Sequence, residues 1–157
     1  MRDRDSAGRA KNARPRDAYG RPLPRGAAGE PTTPDDYSAP PGEALALAQR
    51  LLDEDRPFHA HEVLEAVWKA APGGERELWR GLAQVAVGLT HVRRGNAKGA
   101  RALLTRAADR ITPFAAEPPY EIDAGGVIRQ VRALAERIET DGVEAVTDAD
   151  LSIRLTR

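Results

Sequence analysis

The stretch ERELWRGLAQVAVGLTHVRRG, residues 75–95, decides the fold class of this chain. Its large apolar residues recur every three or four positions, which is the spacing of one face of an α-helix. Those residues are Leu78, Leu82, Val85, Leu89 and Val92, and Trp79, Ala83, Ala86 and Val87 widen the apolar surface. A helix that is apolar around most of its circumference is typical of the middle of a helical bundle.

Four further helices follow from the same spacing on either side of this stretch. We predict them over GEALALAQRLLDED (residues 42–55), over residues 57–71, from about residue 97 to residue 111, and from residue 127 to Gly142. Asp55 and Pro57 are predicted as the cap and first turn of the second helix, and Gly95 and Asn96 as the end of the third helix and the cap of the fourth. The loop TPFAAEPPYEIDAGG, residues 112–126, is expected to anchor on the body through Phe114 and Tyr120.

These elements predict an all-α fold, an antiparallel helical bundle of about five helices with a disordered N-terminal tail. Residues 1–41 are rich in Gly, Pro, Arg and Asp and have almost no aliphatic side chains, so we predict a disordered basic tail there. Residues 42–142 form the predicted bundle domain. Residues 143–157 are a C-terminal extension whose pattern fits a short helix, a strand or a disordered segment.

Composition narrows the classes of function. The chain has no cysteine, which excludes disulfides and thiolate chemistry, and no apolar run long enough to span a bilayer. We therefore expect a cytoplasmic protein without membrane contact, and leave homo-oligomerisation open. Net charge is zero, with 24 basic and 24 acidic residues, but the first 26 residues hold eight basic and three acidic side chains, about +5. This tail either keeps the protein in solution or makes a weak contact with nucleic acid or an acidic partner.

The polar residues of FHAHEVLEAVW, residues 58–68, form the first half of a candidate site. On a helical wheel His61, Glu65 and Trp68 share one flank, whereas His59 lies elsewhere and Glu62 turns toward solvent. The second half lies on the third helix, where Gln84, Gly88 and His91 share a flank. A glycine in mid-helix indicates a close neighbour or a cavity, because it lowers helix stability by about 1 kcal/mol relative to alanine.

Three interpretations of this cluster remain open. His61, Glu65 and His91 could bind a divalent metal in a metal-dependent enzyme, although HEVLE is not the HExxH zinc motif. The pair His61 and Glu65 could act as an acid/base site without metal, but no serine or cysteine nucleophile stands nearby. A hydrogen-bonded network that fixes the helix register, or a small ligand pocket, needs no chemistry at all. Whether the protein is an enzyme, and whether it has a cofactor, is not decided by these residues.

The two stretches resemble the bacterial and archaeal family called domain of unknown function 309. An aromatic residue before His-Glu-x-x-Glu and a tryptophan, then a Gly-Leu-x-Gln-x-Ala helix and an Arg-Gly-Asn turn, match that pattern over about residues 43–111. The matching positions are Phe58, His61, Glu62, Glu65, Trp68, Gly81, Gln84, His91, Gly95, Asn96 and Ala100. The resemblance implies an all-helical domain without an established activity, and it supports treating His61, Glu65, Trp68 and Gln84 as a unit.

Overall fold

The computed structural model describes residues 37–157 and, nearer the N-terminus, the backbone of residues 3–4 and 10–11. Five α-helices lie within these residues, as predicted. They are α1 (Pro41–Asp53), α2 (Pro57–Ala70), α3 (Arg76–Arg93), α4 (Ala97–Ile111) and α5 (Ala124–Asp141). Each packs against the next along the chain. The connections from α1 to α4 are short, as expected for antiparallel neighbours, and residues 112–123 join α4 to α5, so the all-α bundle is confirmed.

The N-terminal segment adds one short element that the sequence did not predict. Strands β1 (Asp3–Arg4) and β2 (Ala10–Lys11) pair antiparallel, with Asp3 opposite Lys11. Two residues per strand are too few to change the fold class. Apart from these pairs and residues 37–41, the predicted disordered tail of residues 1–41 lies outside the described residues, so that prediction and the predicted contact of the tail with nucleic acid or an acidic partner stay predictions.

The helix boundaries follow local capping chemistry. Gly95 ends α3 with a φ of 76°, a left-handed conformation that glycine adopts without a steric penalty. The side chain of Asn96 then accepts a hydrogen bond from the backbone N–H of Gly99 at 3.0 Å and so caps α4. Both roles were predicted from the sequence.

One predicted cap and one predicted helix start were wrong. Helix α2 begins at Pro57, as predicted, but its N-cap is Arg56 and not Asp55, because Asp55 takes a left-handed φ of 58° and turns its carboxylate toward Arg93. Helix α5 begins at Ala124, before the two glycines assigned to the loop, because the side chain of Asp123 accepts from the backbone N–H of Gly126 at 3.1 Å. A good N-cap extends a helix into residues of poor helix propensity.

Helix α3 lies in the centre of the fold, between α2 and α4. Leu78, Trp79 and Leu82 are fully buried, as expected for its apolar circumference. The glycine in its middle has the close neighbour that the sequence indicated: a Cβ atom at Gly88 would lie 2.7 Å from Cδ2 of Leu104 on α4. A side chain at this position would require the Leu104 side chain to move.

Residues 143–157 form an ordered segment that closes the bundle. After a short 3₁₀ turn (Val143–Ala145) and a further turn, the chain runs extended and buries Ile153 and Leu155 almost completely. The side chain of Gln49, itself 8% exposed, donates to the carbonyl of Ile153 at 3.1 Å and accepts from the backbone N–H of Leu155 at 2.8 Å. The backbone N–H of Asp123 donates to the Leu155 carbonyl at 2.8 Å. The segment therefore completes the core between α1 and the start of α5.

Candidate functional site

The predicted pair on α2 is formed. His61 Nε2 lies 2.8 Å from Glu65 Oε2, and Lys69 Nζ lies 2.9 Å from the other carboxylate oxygen. His61 and Glu65 side chains are 22% and 31% exposed, so this pair is half-buried along one flank of α2, whereas Lys69 at the end of the row is exposed. Successive partners in this row are four residues apart, which is the distance at which helical side chains meet.

The surroundings of Glu65 keep it ionised. The hydrogen bond from His61, assisted by the one from Lys69, lowers the pKa of Glu65 to about 2, although partial burial acts in the opposite direction. A carboxyl group with this pKa holds no proton to donate near neutral pH. It can orient an imidazole or bind a cation, but it is not a general acid.

The imidazole of His61 is also poorly placed for proton transfer. Its Nε2 is directed at Glu65, and its Nδ1 is buried without a hydrogen-bond partner. The Phe58 ring lies beside it, with ring centroids 5.6 Å apart. A catalytic base must reach the proton that it abstracts, and in this ring Nε2 is paired with Glu65 while Nδ1 is buried.

An aromatic and cationic pair continues the same face toward α3. The guanidinium carbon of Arg80 lies 5.5 Å from the centre of the Trp68 ring. Trp68 is partly buried and packs against the core from the edge. This contact joins α2 to α3, whereas the pair of His61 and Glu65 stays within α2.

The side chain of Gln84 contacts Arg110 on α4. Its side-chain oxygen accepts from Arg110 Nε at 3.2 Å, and a nitrogen of the same guanidinium forms an ion pair with Glu77. Arg110 was not among the predicted site residues. Its position on α4 carried no motif, and only the packing of α4 on α3 brings it to Gln84.

His91 lies at the end of α3, beside the next turn. Its Nδ1 is 3.1 Å from the side-chain nitrogen of Asn96. Burial, followed by the positive charge of Arg94, lowers the pKa of His91. The imidazole is therefore predominantly neutral at pH 7.

The predicted residues thus form four separate contacts: His61 with Glu65, Trp68 with Arg80, Gln84 with Arg110, and His91 with Asn96. We define the α2–α3 face as the half-buried residues Phe58, His61, Glu65, Trp68, Arg80, Gln84 and His91. Among the residues that the structure describes, no three His, Asp or Glu side chains form a group that could hold a metal ion, so His61, Glu65 and His91 are not brought together as ligands. They were expected to converge because a wheel gives the direction of a side chain and not its distance along the helix axis. Glu62 is half-buried beside this row.

A second polar cluster was not predicted from the sequence. Glu75 Oε1 accepts from the indole N–H of Trp79 at 3.2 Å, and Glu75 Oε2 accepts from the hydroxyl of Tyr120 at 3.1 Å. The four-residue spacing of Glu75 and Trp79 could have indicated the first contact. Tyr120 is 45 residues further along the chain, and no local pattern predicts that it reaches Glu75.

These features define an all-helical bundle domain with a preorganised polar face. Residues 45–103, from α1 into α4, match the family model described as domain of unknown function (DUF309), which confirms the resemblance for this part of the chain. The matched part contains every residue of the α2–α3 face. The C-terminal segment lies outside it.

One curated relative is similar to part of this chain. The uncharacterized protein YpuF of Bacillus subtilis (strain 168) is 36% identical over 88 residues, which is 53% of this chain and 49% of that protein. The chain therefore spans about half the length of the relative that it matches. No solved structure matches the chain.

The length and polarity of the helices determine whether any of them could span a membrane. In the described part of the chain, every helix is too short or too polar to cross a bilayer.

Proposed function

We propose that this domain is a non-catalytic binding module and that the α2–α3 face contacts its partner. One observation carries the proposal: this face presents Phe58 near the start of α2 and the stacked pair of Trp68 and Arg80 near its end, with the ionised carboxylate of Glu65 between them along α2. Tryptophan and arginine are the residue types that contribute most to protein–protein binding energy.

The protonation states support binding over catalysis. Glu65 is ionised at neutral pH, and the buried Nδ1 of His61 is withdrawn from solvent. Every charged or polar member of the face already contacts a neighbour on the same or the adjacent helix. Such contacts hold the side chains in one arrangement before a partner arrives, which reduces the entropy lost on binding.

The partner implied by this chemistry is a protein surface with both apolar and charged groups. An apolar side chain would cover the edge of Trp68, and an acidic group would meet Arg80 and the exposed ammonium of Lys69. Lys69 is 67% exposed and Arg80 is 44% exposed, so both cations remain accessible after pairing within the domain.

Site-specific photo-crosslinking in living cells tests the proposal without knowledge of the partner. A photoreactive residue replaces Lys69 at the rim of the α2–α3 face, and a matched variant carries it at the exposed Arg129 on α5. We expect discrete covalent adducts from position 69 alone, and Arg80→Ala in the same chain should reduce their yield several-fold. Equal adducts from both positions, or none from position 69, would contradict a binding role for this face.

A further inference from the structure

A cavity separate from the α2–α3 face opens at the other edge of α2. It has a volume of about 290 Å³ and lies between the end of α2, the start of α3 and the segment that precedes α1. Its walls are mainly apolar and include Val67, Ala70, Pro72, Tyr37 and the edge of Trp79. At roughly 30 Å³ for a group the size of a water molecule, the cavity holds about ten non-hydrogen atoms.

Among the residues that the structure describes, Glu75 is the one charged residue that lines this cavity. Both groups that donate to its carboxylate, the Trp79 indole and the Tyr120 hydroxyl, are neutral. Across residues 37–157 no basic side chain forms an ion pair with Glu75, whereas Glu65 pairs with Lys69 and Glu77 with Arg110. A half-buried carboxylate beside an apolar cavity is therefore left without a counter-charge.

The backbone next to the cavity is held in an unfavourable conformation. Tyr120 and Glu121 have φ values of 57° and 61°, a left-handed region that residues other than glycine rarely adopt. This conformation brings the Tyr120 ring to 5.9 Å from the Trp79 ring and its hydroxyl onto Glu75. The effect is to surround the carboxylate with aromatic groups.

We propose that this cavity binds a small primary amine with an apolar body. The ammonium group would donate to Glu75, whose carboxylate can accept about four hydrogen bonds and accepts two in this structure. The alkyl or aryl body would fill the space between Val67, Ala70 and Pro72. Electron-rich faces of aromatic rings attract cations, so Tyr37, which lines the cavity, adds to the same preference.

Neutral and anionic ligands fit this site less well. An alcohol of the same size would bury the same apolar area but would not neutralise Glu75. A carboxylate ligand would be repelled by Glu75, because a like charge in a partly desolvated site is unfavourable. The site therefore selects by charge as well as by size.

Protein NMR of the full chain tests this proposal, with n-hexylamine as the probe and n-hexanol as the neutral probe of matched size. The indole N–H of Trp79 donates to Glu75 and reports on the site, and the indole of Trp68, on the α2–α3 face, is the internal control. We expect saturable shifts at Trp79 and not at Trp68, with the amine at least about tenfold tighter than the alcohol.

Two variants complete the experiment. Glu75→Gln keeps a hydrogen-bond acceptor for Trp79 and removes the charge, so the amine should bind no tighter than the alcohol. Glu54→Gln removes the same charge at an exposed position after α1 and should leave the amine affinity unchanged. Equal affinity of wild-type protein for amine and alcohol would overturn the proposal whether or not the Glu75 variant folds, as would undiminished amine binding by folded Glu75→Gln.

Discussion

Polar side chains make contacts in both the α2–α3 face and the C-terminal segment. The two regions differ in how far apart the contacting residues lie along the chain. On the face, the contacts of Glu65 with His61 and Lys69 span four residues each. In the C-terminal segment, Gln49 bonds to residues 104 and 106 positions away. The first arrangement belongs to one helix, and the second joins the two ends of the bundle.

Burial separates the energetic roles of these regions. The side chains of the face retain contact with water, so breaking one of their pairs allows solvent to replace it, and such pairs contribute about 0–1 kcal/mol. The groups around Gln49 are buried, and a buried donor or acceptor that loses its partner destabilises the fold by about 1–3 kcal/mol. We therefore expect stability to depend on the C-terminal segment and binding to depend on the face.

Shortening the buried Leu155 side chain of the C-terminal segment should give the largest loss of stability. Leu155 is fully buried, so Leu155→Ala leaves a cavity and should lower the free energy of unfolding by about 3 kcal/mol, measured by urea denaturation. Arg154→Ala, at a neighbouring side chain that is 62% exposed, is the matched control and should change it by less than about 0.5 kcal/mol. A loss below about 1 kcal/mol for Leu155→Ala would mean that the segment is not part of the core.

The two glutamines provide the next comparison. Gln49→Leu leaves the carbonyl of Ile153 and the backbone N–H of Leu155 buried without this partner, and should destabilise the protein by about 2 kcal/mol in thermal unfolding. Gln84→Leu removes a half-exposed contact with Arg110, and should have an effect below about 1 kcal/mol. Similar losses for both variants would refute the distinction between the two regions.

A smaller effect than that of Gln49→Leu is expected from Glu65→Gln, and it should depend on pH. The pKa of Glu65 falls from an ordinary 4.5 to about 2 on folding, so the carboxylate stabilises the folded protein above about pH 4.5. This contribution, about 1 kcal/mol after solvent screening, is lost as the pH falls toward 2. Unfolding curves of both proteins from pH 7 to pH 2 should converge at the acid end.

The titration of His91 also changes stability with pH, and it does so equally in the wild type and in Glu65→Gln. The pKa of His91 is lowered in the folded state, so its protonation favours unfolding as the pH falls through the ordinary value near 6.5. The difference between wild type and Glu65→Gln at each pH removes this shared effect. A difference in unfolding free energy that stays constant down to pH 2 would show that the neighbours of Glu65 do not lower its pKa.

How well each feature could be predicted from the sequence depends on how far apart its residues lie along the chain. The helices could be predicted because apolar spacing and the caps at Gly95 and Asn96 are local signals, and the pair of His61 and Glu65 follows from helical spacing. The contact of Gln84 with Arg110 and that of Glu75 with Tyr120 depend on packing between elements. The contact of Glu75 with Tyr120 also depends on the left-handed backbone conformation of Tyr120, which no sequence pattern indicates.

The bond between Gln49 and the C-terminal segment also has a consequence for the order of folding. Contacts between consecutive helices close short loops, whereas this contact closes a loop of about a hundred residues and loses more chain entropy. We expect α2, α3 and α4 to associate first and thereby shorten the effective loop. The last step would then be the docking of Ile153 and Leu155, which converts a set of helical hairpins into one closed unit.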